Sequence, residues 1–98
     1  MTVIAVLELR VKAEALADAP AIIQGTLEVT RSRPGSLGVD ITVDVDDPTH
    51  YLIVERWEDL AADDAYRAFR ASPEGASELR TIVAEPPVLT RTELRAQL

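Results

Sequence analysis

Groups able to do chemistry are few in this chain of 98 residues, and each can be weighed by type and position. Three of its four aromatic side chains are Trp57, Tyr66 and Phe69. Tyr66 and Phe69 are one helical turn apart, and Trp57 closes the segment before them. If Trp57 turns toward that helix, the three share one space between layers, where ligand pockets commonly form: apolar walls with a few polar tips. The phenolic O–H, the indole N–H and the guanidinium of Arg80 would be such tips, suited to an aromatic molecule carrying oxygens. The same three aromatics also read as plain core, with their polar ends at the rim.

Glu55 lies between Val54 and Arg56 and reads either as a general base or as half of an ion pair. The single histidine, His50, falls at a turn, where solvent exposure is expected and proton handling near neutral pH is the alternative. Asp44, Asp46 and Asp47 form an acidic run that lacks the Gly and terminal Glu of a calcium loop. With one His and no Cys, a multi-histidine metal site, a thiolate nucleophile and a disulfide framework are excluded. No nucleophile, base and orienting group share a pattern. An enzyme built from this chain must work by orienting and polarising a reactive substrate, without metal.

The elements that position these residues follow from periodicity. Thr2 to Val11 is almost continuously apolar and β-branched, hence a strand. Asp18-Ala19-Pro20 opens a helix, with Asp as N-cap and Pro in the first turn. Ile23, Leu27 and Thr30 supply its stripe, and Arg33-Pro34-Gly35 ends it. Leu37, Val39, Ile41, Val43 and Val45 then alternate with polar residues, as in a strand with one dry face. A turn is expected at Asp46–Thr49 and a third strand from His50 to Trp57. Leu60 to Ala71 is helical, with Ala65, Tyr66 and Phe69 on one side. Ser72-Pro73 restarts a helix whose apolar face is Ala76, Leu79, Ile82 and Val83. Pro86-Pro87 stops it, and Val88 to Leu94 is the fourth strand.

The order β-α-β-β-α-α-β predicts an α+β, ferredoxin-like split βαβ fold with an antiparallel sheet in the order 4-1-3-2. Residues 1–95 are expected to form a single domain and residues 96–98 a short tail. Helices can cover one face only. On the other, Ile4, Val6, Leu52 and Val54 would each forgo about 1.5–3 kcal/mol in water. A second copy pressed onto that face is the economical cover, giving a homodimer. The charge balance, 10 Lys+Arg against 17 Asp+Glu, argues against nucleic acid and anionic membrane. No apolar run reaches the roughly 18 residues of a membrane span, so a cytoplasmic protein is expected.

Four motifs carry a family resemblance: Arg33-Pro34-Gly35, Val54-Glu55-Arg56-Trp57, Ser72-Pro73 and Glu85-Pro86-Pro87. Over nearly its whole length the chain resembles the antibiotic biosynthesis monooxygenase family of dimeric α+β barrels. The haem-degrading branch is set aside, because the first strand has no Asn and the axial His position falls near Leu79. The resemblance to the anthrone-oxidising branch implies Trp57, Tyr66 and Arg80 as catalytic residues. Phe69, Ile53 and Leu79 would line the substrate pocket, Ile53 standing where that branch has Asn. The implied activity is a cofactor-independent monooxygenase acting on an anthrone- or polyketide-like aromatic. A non-catalytic ligand-binding or interaction module, or a polyketide cyclase or isomerase, is the alternative on the same fold.

Overall fold

The odd-numbered residues of the first strand decide which side of the sheet is dry. A computed structural model describes residues 1–96 of the chain, so most of the tail expected at 96–98 lies outside the described residues. Strand β1 (Val3–Arg10) buries Val3, Ala5 and Leu9 on one face, and Val11 continues the row just past its end. Helix α1 (Ala19–Ser32) packs on that face through Ala19, Ile23, Leu27 and Thr30, the expected stripe. It leaves the helical region at Arg33, the residue before Pro34. Gly35 follows at φ +82°, where a Cβ would also lie 2.4 Å from the Cβ of Ala62. Both the backbone angle and the close approach require glycine there.

Strands β2 (Ser36–Asp44), β3 (Asp47–Trp57) and β4 (Val88–Glu93) complete one antiparallel sheet in the order β2-β3-β1-β4, the ferredoxin-like topology predicted. Helix α2 (Leu60–Ala71) lies on the same face as α1. It begins at Asp59, whose side chain accepts a hydrogen bond from the Ala62 N–H. Two apolar clusters result. One sets α1 against Leu9, Val39 and Ile53; the other joins Val3, Ala5, Trp57 and Tyr66, with Ala62 and Phe69 at its margin.

Four local expectations are corrected. The clean alternation of β2 does not give a buried face along its length: Val39 is buried and Ile41 half-buried, but Leu37 and Val43 are exposed and Val45 is 97% exposed. The strand is at the sheet's edge, and register shifts interrupt its pairing at Ser36/Gly38 and at Val43/Asp44. The turn is Val45-Asp46, and β3 begins three residues earlier than expected. There the Asp47 carboxylate accepts from both the N–H and the hydroxyl of Thr49. Ala65 is exposed, because α2 turns Asp63 and Tyr66 inward instead.

The fourth correction concerns the helix expected after Pro73. Two short 3₁₀ turns, Pro73–Gly75 and Glu78–Thr81, take its place. Gly75 is pressed against the end of α2, so closely that a Cβ would lie 1.8 Å from the Phe69 carbonyl oxygen. A continuous helix cannot pass that point. Its apolar face partly survives the break: Ile82 is buried, Leu79 and Val83 are half-buried, and Ala76 is exposed.

Candidate functional site

The broken segment leaves a cavity of about 310 Å³ between the sheet, α1, α2 and the turns that follow α2. Its apolar wall comes from Leu7 of β1, Leu27 of α1, and Leu79 and Pro87 of the later chain. Thr26, Ala76 and Ser77 are also on the wall. Its charged groups are Glu55 of β3, Arg67 and Arg70 of α2, and Arg80; Tyr66 adds its hydroxyl.

Of the residues singled out in the sequence, Tyr66, Arg80 and Leu79 line this cavity. Trp57 does not. It is fully buried, with its ring tilted 30° against that of Tyr66 at a centroid distance of 4.9 Å. Its indole N–H donates to Oε1 of Glu55 at 3.1 Å and so is engaged within the protein. Phe69 lies at the margin of that aromatic cluster, covered by the Arg33 guanidinium at 4.0 Å. Ile53 is packed into the main core.

Glu55 is half of an ion pair, one of the two readings its position suggested, and it also stands at the cavity. Its side chain is 1% exposed, and Oε1 also accepts from Arg67 Nη2, yet the residue forms part of the cavity wall. Burial pushes its carboxyl pKa up, against the opposing pull of the Arg67 charge and the Trp57 N–H. Arg67 in turn donates through Nε to Asp63 Oδ1 at 3.0 Å, and Asp63 Oδ2 accepts from Arg91 Nε at 2.6 Å. Two buried carboxylates are thus bracketed by two arginines, and Arg91 reaches Asp64 as well.

Tyr66 is held as firmly. Its hydroxyl shares a 2.7 Å hydrogen bond with Thr30 Oγ1 and accepts another of 2.7 Å from Arg70 Nε. Arg70 also donates to the carbonyls of Thr26 at 2.9 Å and Gly75 at 3.1 Å, and to Thr30 Oγ1 at 3.2 Å. Sequence reasoning overlooked Arg67 and Arg70 as site residues. The available signal was their helical spacing, Asp63 to Arg67 and Tyr66 to Arg70, each four apart.

His50 is not a solvated turn residue. It sits on the opposite, helix-free face with its side chain 14% exposed, Nε2 2.6 Å from Glu8 and Nδ1 2.9 Å from Asp44. The hydrogen bonds to Asp44 and Glu8 raise its pKa. Among the described residues, no group of His, Asp and Glu side chains is placed to hold a metal ion, and no helix is long and apolar enough to cross a membrane.

The fold recurs among solved structures. The chain superposes on SnoaB, a cofactor-independent oxygenase from Streptomyces nogalater, with a TM-score of 0.82 at 21% identity, covering 99% of this chain and 96% of that one. A conserved protein from Methanosarcina mazei Go1 gives 0.81 at 15% identity, over 97% and 94% of the two chains. Rv0793 from Mycobacterium tuberculosis gives 0.79 at 18%, over 99% and 98%. At such identities the likeness is one of fold. A search of curated proteins by sequence finds no match. The model of the antibiotic biosynthesis monooxygenase family, whose motifs the sequence displays, matches residues 2–77, and the chain belongs to that family.

Proposed function

We propose that the cavity is an active site and that the protein is a cofactor-independent monooxygenase acting on an electron-rich, anthrone-like aromatic. The observation that carries this reading is the cavity wall itself: apolar surface for a ring system, with a buried carboxylate, a tyrosine hydroxyl and guanidiniums. In the proposed step Glu55 takes the proton from the carbon para to the substrate's phenolic or keto oxygen. The resulting carbanion reduces O₂, the peroxide formed at that carbon loses water, and a quinone results. For anthrone the balance is anthrone plus O₂ giving anthraquinone plus water.

A buried base of raised pKa suits the proton transfer. Arg80 and the Arg70-bound hydroxyl of Tyr66 stabilise negative charge on the substrate's oxygen. Leu79 and Leu27 wall the rings. Trp57 acts through Glu55, its N–H fixing the carboxylate. The test is air oxidation of anthrone followed by quinone absorbance. The wild type should exceed the buffer blank, and Glu55→Gln should lower the rate by about a hundredfold, the usual weight of a general base. A wild-type rate equal to the blank, with ligand still bound, would establish a binding module instead.

The same reading takes the protein as a homodimer. Ile4, Val6, Leu52 and Val54 are half-buried on the face opposite the helices, where Val6 pairs with Val54. A second copy would cover them. Sedimentation equilibrium should give twice 10.7 kDa, and Val54→Asp should give the single chain.

A further inference from the structure

The charges on the cavity wall run against those of the protein. The chain carries 17 acidic and 10 basic residues, yet the wall holds three arginines and one glutamate. That glutamate is already paired with Arg67. Arg70 makes all its hydrogen bonds to neutral acceptors, the Tyr66 and Thr30 hydroxyls and two carbonyls. Arg80 has no hydrogen bond or ion pair through its side chain among the described residues. Asp63, the other buried acid in this region, is taken up by Arg67 and Arg91. Two positive charges therefore face a partly apolar cavity without an anion of the described residues to balance them.

We propose that the cavity selects an aromatic molecule bearing an ionised acid group, a carboxylate or its equivalent, which Arg70 and Arg80 receive while the rings lie against Leu7, Leu27, Leu79 and Pro87. The inference rests on the cavity being a small-molecule site and adds the charge of what enters. It differs from stabilisation of a transient oxyanion, since the acid group belongs to the ligand before any reaction. An acidic protein with such a site excludes anions from most of its surface and admits them at one place.

Two probes of the same shape separate the elements of this claim: 2-naphthoate, an anion, and naphthalene-2-carboxamide, its neutral isostere. Binding is followed by amide ¹H–¹⁵N shifts on the full chain. The naphthoate should shift Ser77, Leu79 and Tyr66 and bind about tenfold more tightly than the carboxamide, as one charge-assisted hydrogen bond supplies. Added salt should weaken the naphthoate alone. Arg80→Gln removes an exposed side chain with no internal partner, so the fold is kept, and it should weaken the naphthoate several-fold more than the carboxamide, with Arg70 keeping the rest of the preference. Equal binding of the two probes, or an Arg80→Gln variant that prefers the anion as strongly as the wild type, overturns the charge inference and leaves the cavity reading standing. Shifts confined to Leu52 and Val54 on the other face, or none with either probe, overturn both.

Discussion

Removal of the Arg67 guanidinium tests the arrangement beneath the cavity most directly. Arg67→Met keeps a long, flexible, apolar side chain of good helix propensity. It deletes the partner of Glu55, 1% exposed, and one of the two partners of Asp63, 0% exposed. Asp63 retains Arg91, whereas Glu55 retains only the Trp57 N–H. Removing one member of a buried ion pair costs about 3–5 kcal/mol, because the other charge stays buried. Set against a total stability of about 5–15 kcal/mol, this weakens the fold severely without abolishing it in a domain of ordinary stability.

The loss should depend on pH. The Glu55 carboxyl already sits above its ordinary value of 4.5 because it is buried, and loss of Arg67 raises it further. Below the unfolded value both states are protonated and no penalty exists. As pH rises from there through the folded value, the unfolded chain gives up its proton first and stability falls. Urea titrations followed by Trp57 fluorescence should therefore show a larger deficit at pH 8 than near pH 5.5. Adding Glu55→Gln to the variant should recover about 0.5–3 kcal/mol, the range of coupling between contacting residues. A loss below about 1 kcal/mol at pH 8, the worth of an exposed pair, or a loss independent of pH, would refute the view of Glu55 as a buried charge held by Arg67.

Other outcomes follow from single positions. Gly25 lies inside α1 with nothing within 4 Å of where a Cβ would be, so Gly25→Ala should stabilise the protein by about 0.5–1 kcal/mol; calorimetry should show a higher Tm, and a lower one would mean that the helix is not intact there. His50 should titrate above 6.5 by NMR, since Asp44 and Glu8 both bind its ring. Its contribution to stability is full below the unfolded value and is lost as pH rises through the folded one. His50→Gln should flatten that part of the stability profile, and an unchanged profile would remove the Glu8–His50–Asp44 link from the account.

Much of the fold was legible because it is written in short spacings. The odd residues of β1 and the Ile23, Leu27 and Thr30 stripe of α1 each name their buried face locally, through periods of two and 3.6. The order of elements, with the two most apolar strands at the centre, then limited the topology to one common arrangement. Within the site, Tyr66, Leu79 and Arg80 were legible as a turn-spaced aromatic and the flank of an apolar stripe. The pairing of Glu55 with Trp57, two apart on one strand face, was within reach of the same reasoning.

Contacts between distant segments decided the rest. No local pattern distinguishes Glu55 and Asp63 from the fifteen other acidic residues; they are buried because Arg67 and Arg91 reach them from α2 and β4. Gly75 breaks a well-patterned helix because the chain must pass against the Phe69 carbonyl, and that break opens the wall where Ser77, Leu79 and Arg80 stand. Val43 and Val45 have the alternation of a dry face but lie at an edge that the helices leave uncovered. Periodicity states which residues can share a face; only packing states whether anything stands opposite, and burial, pairing and cavities depend on that second fact.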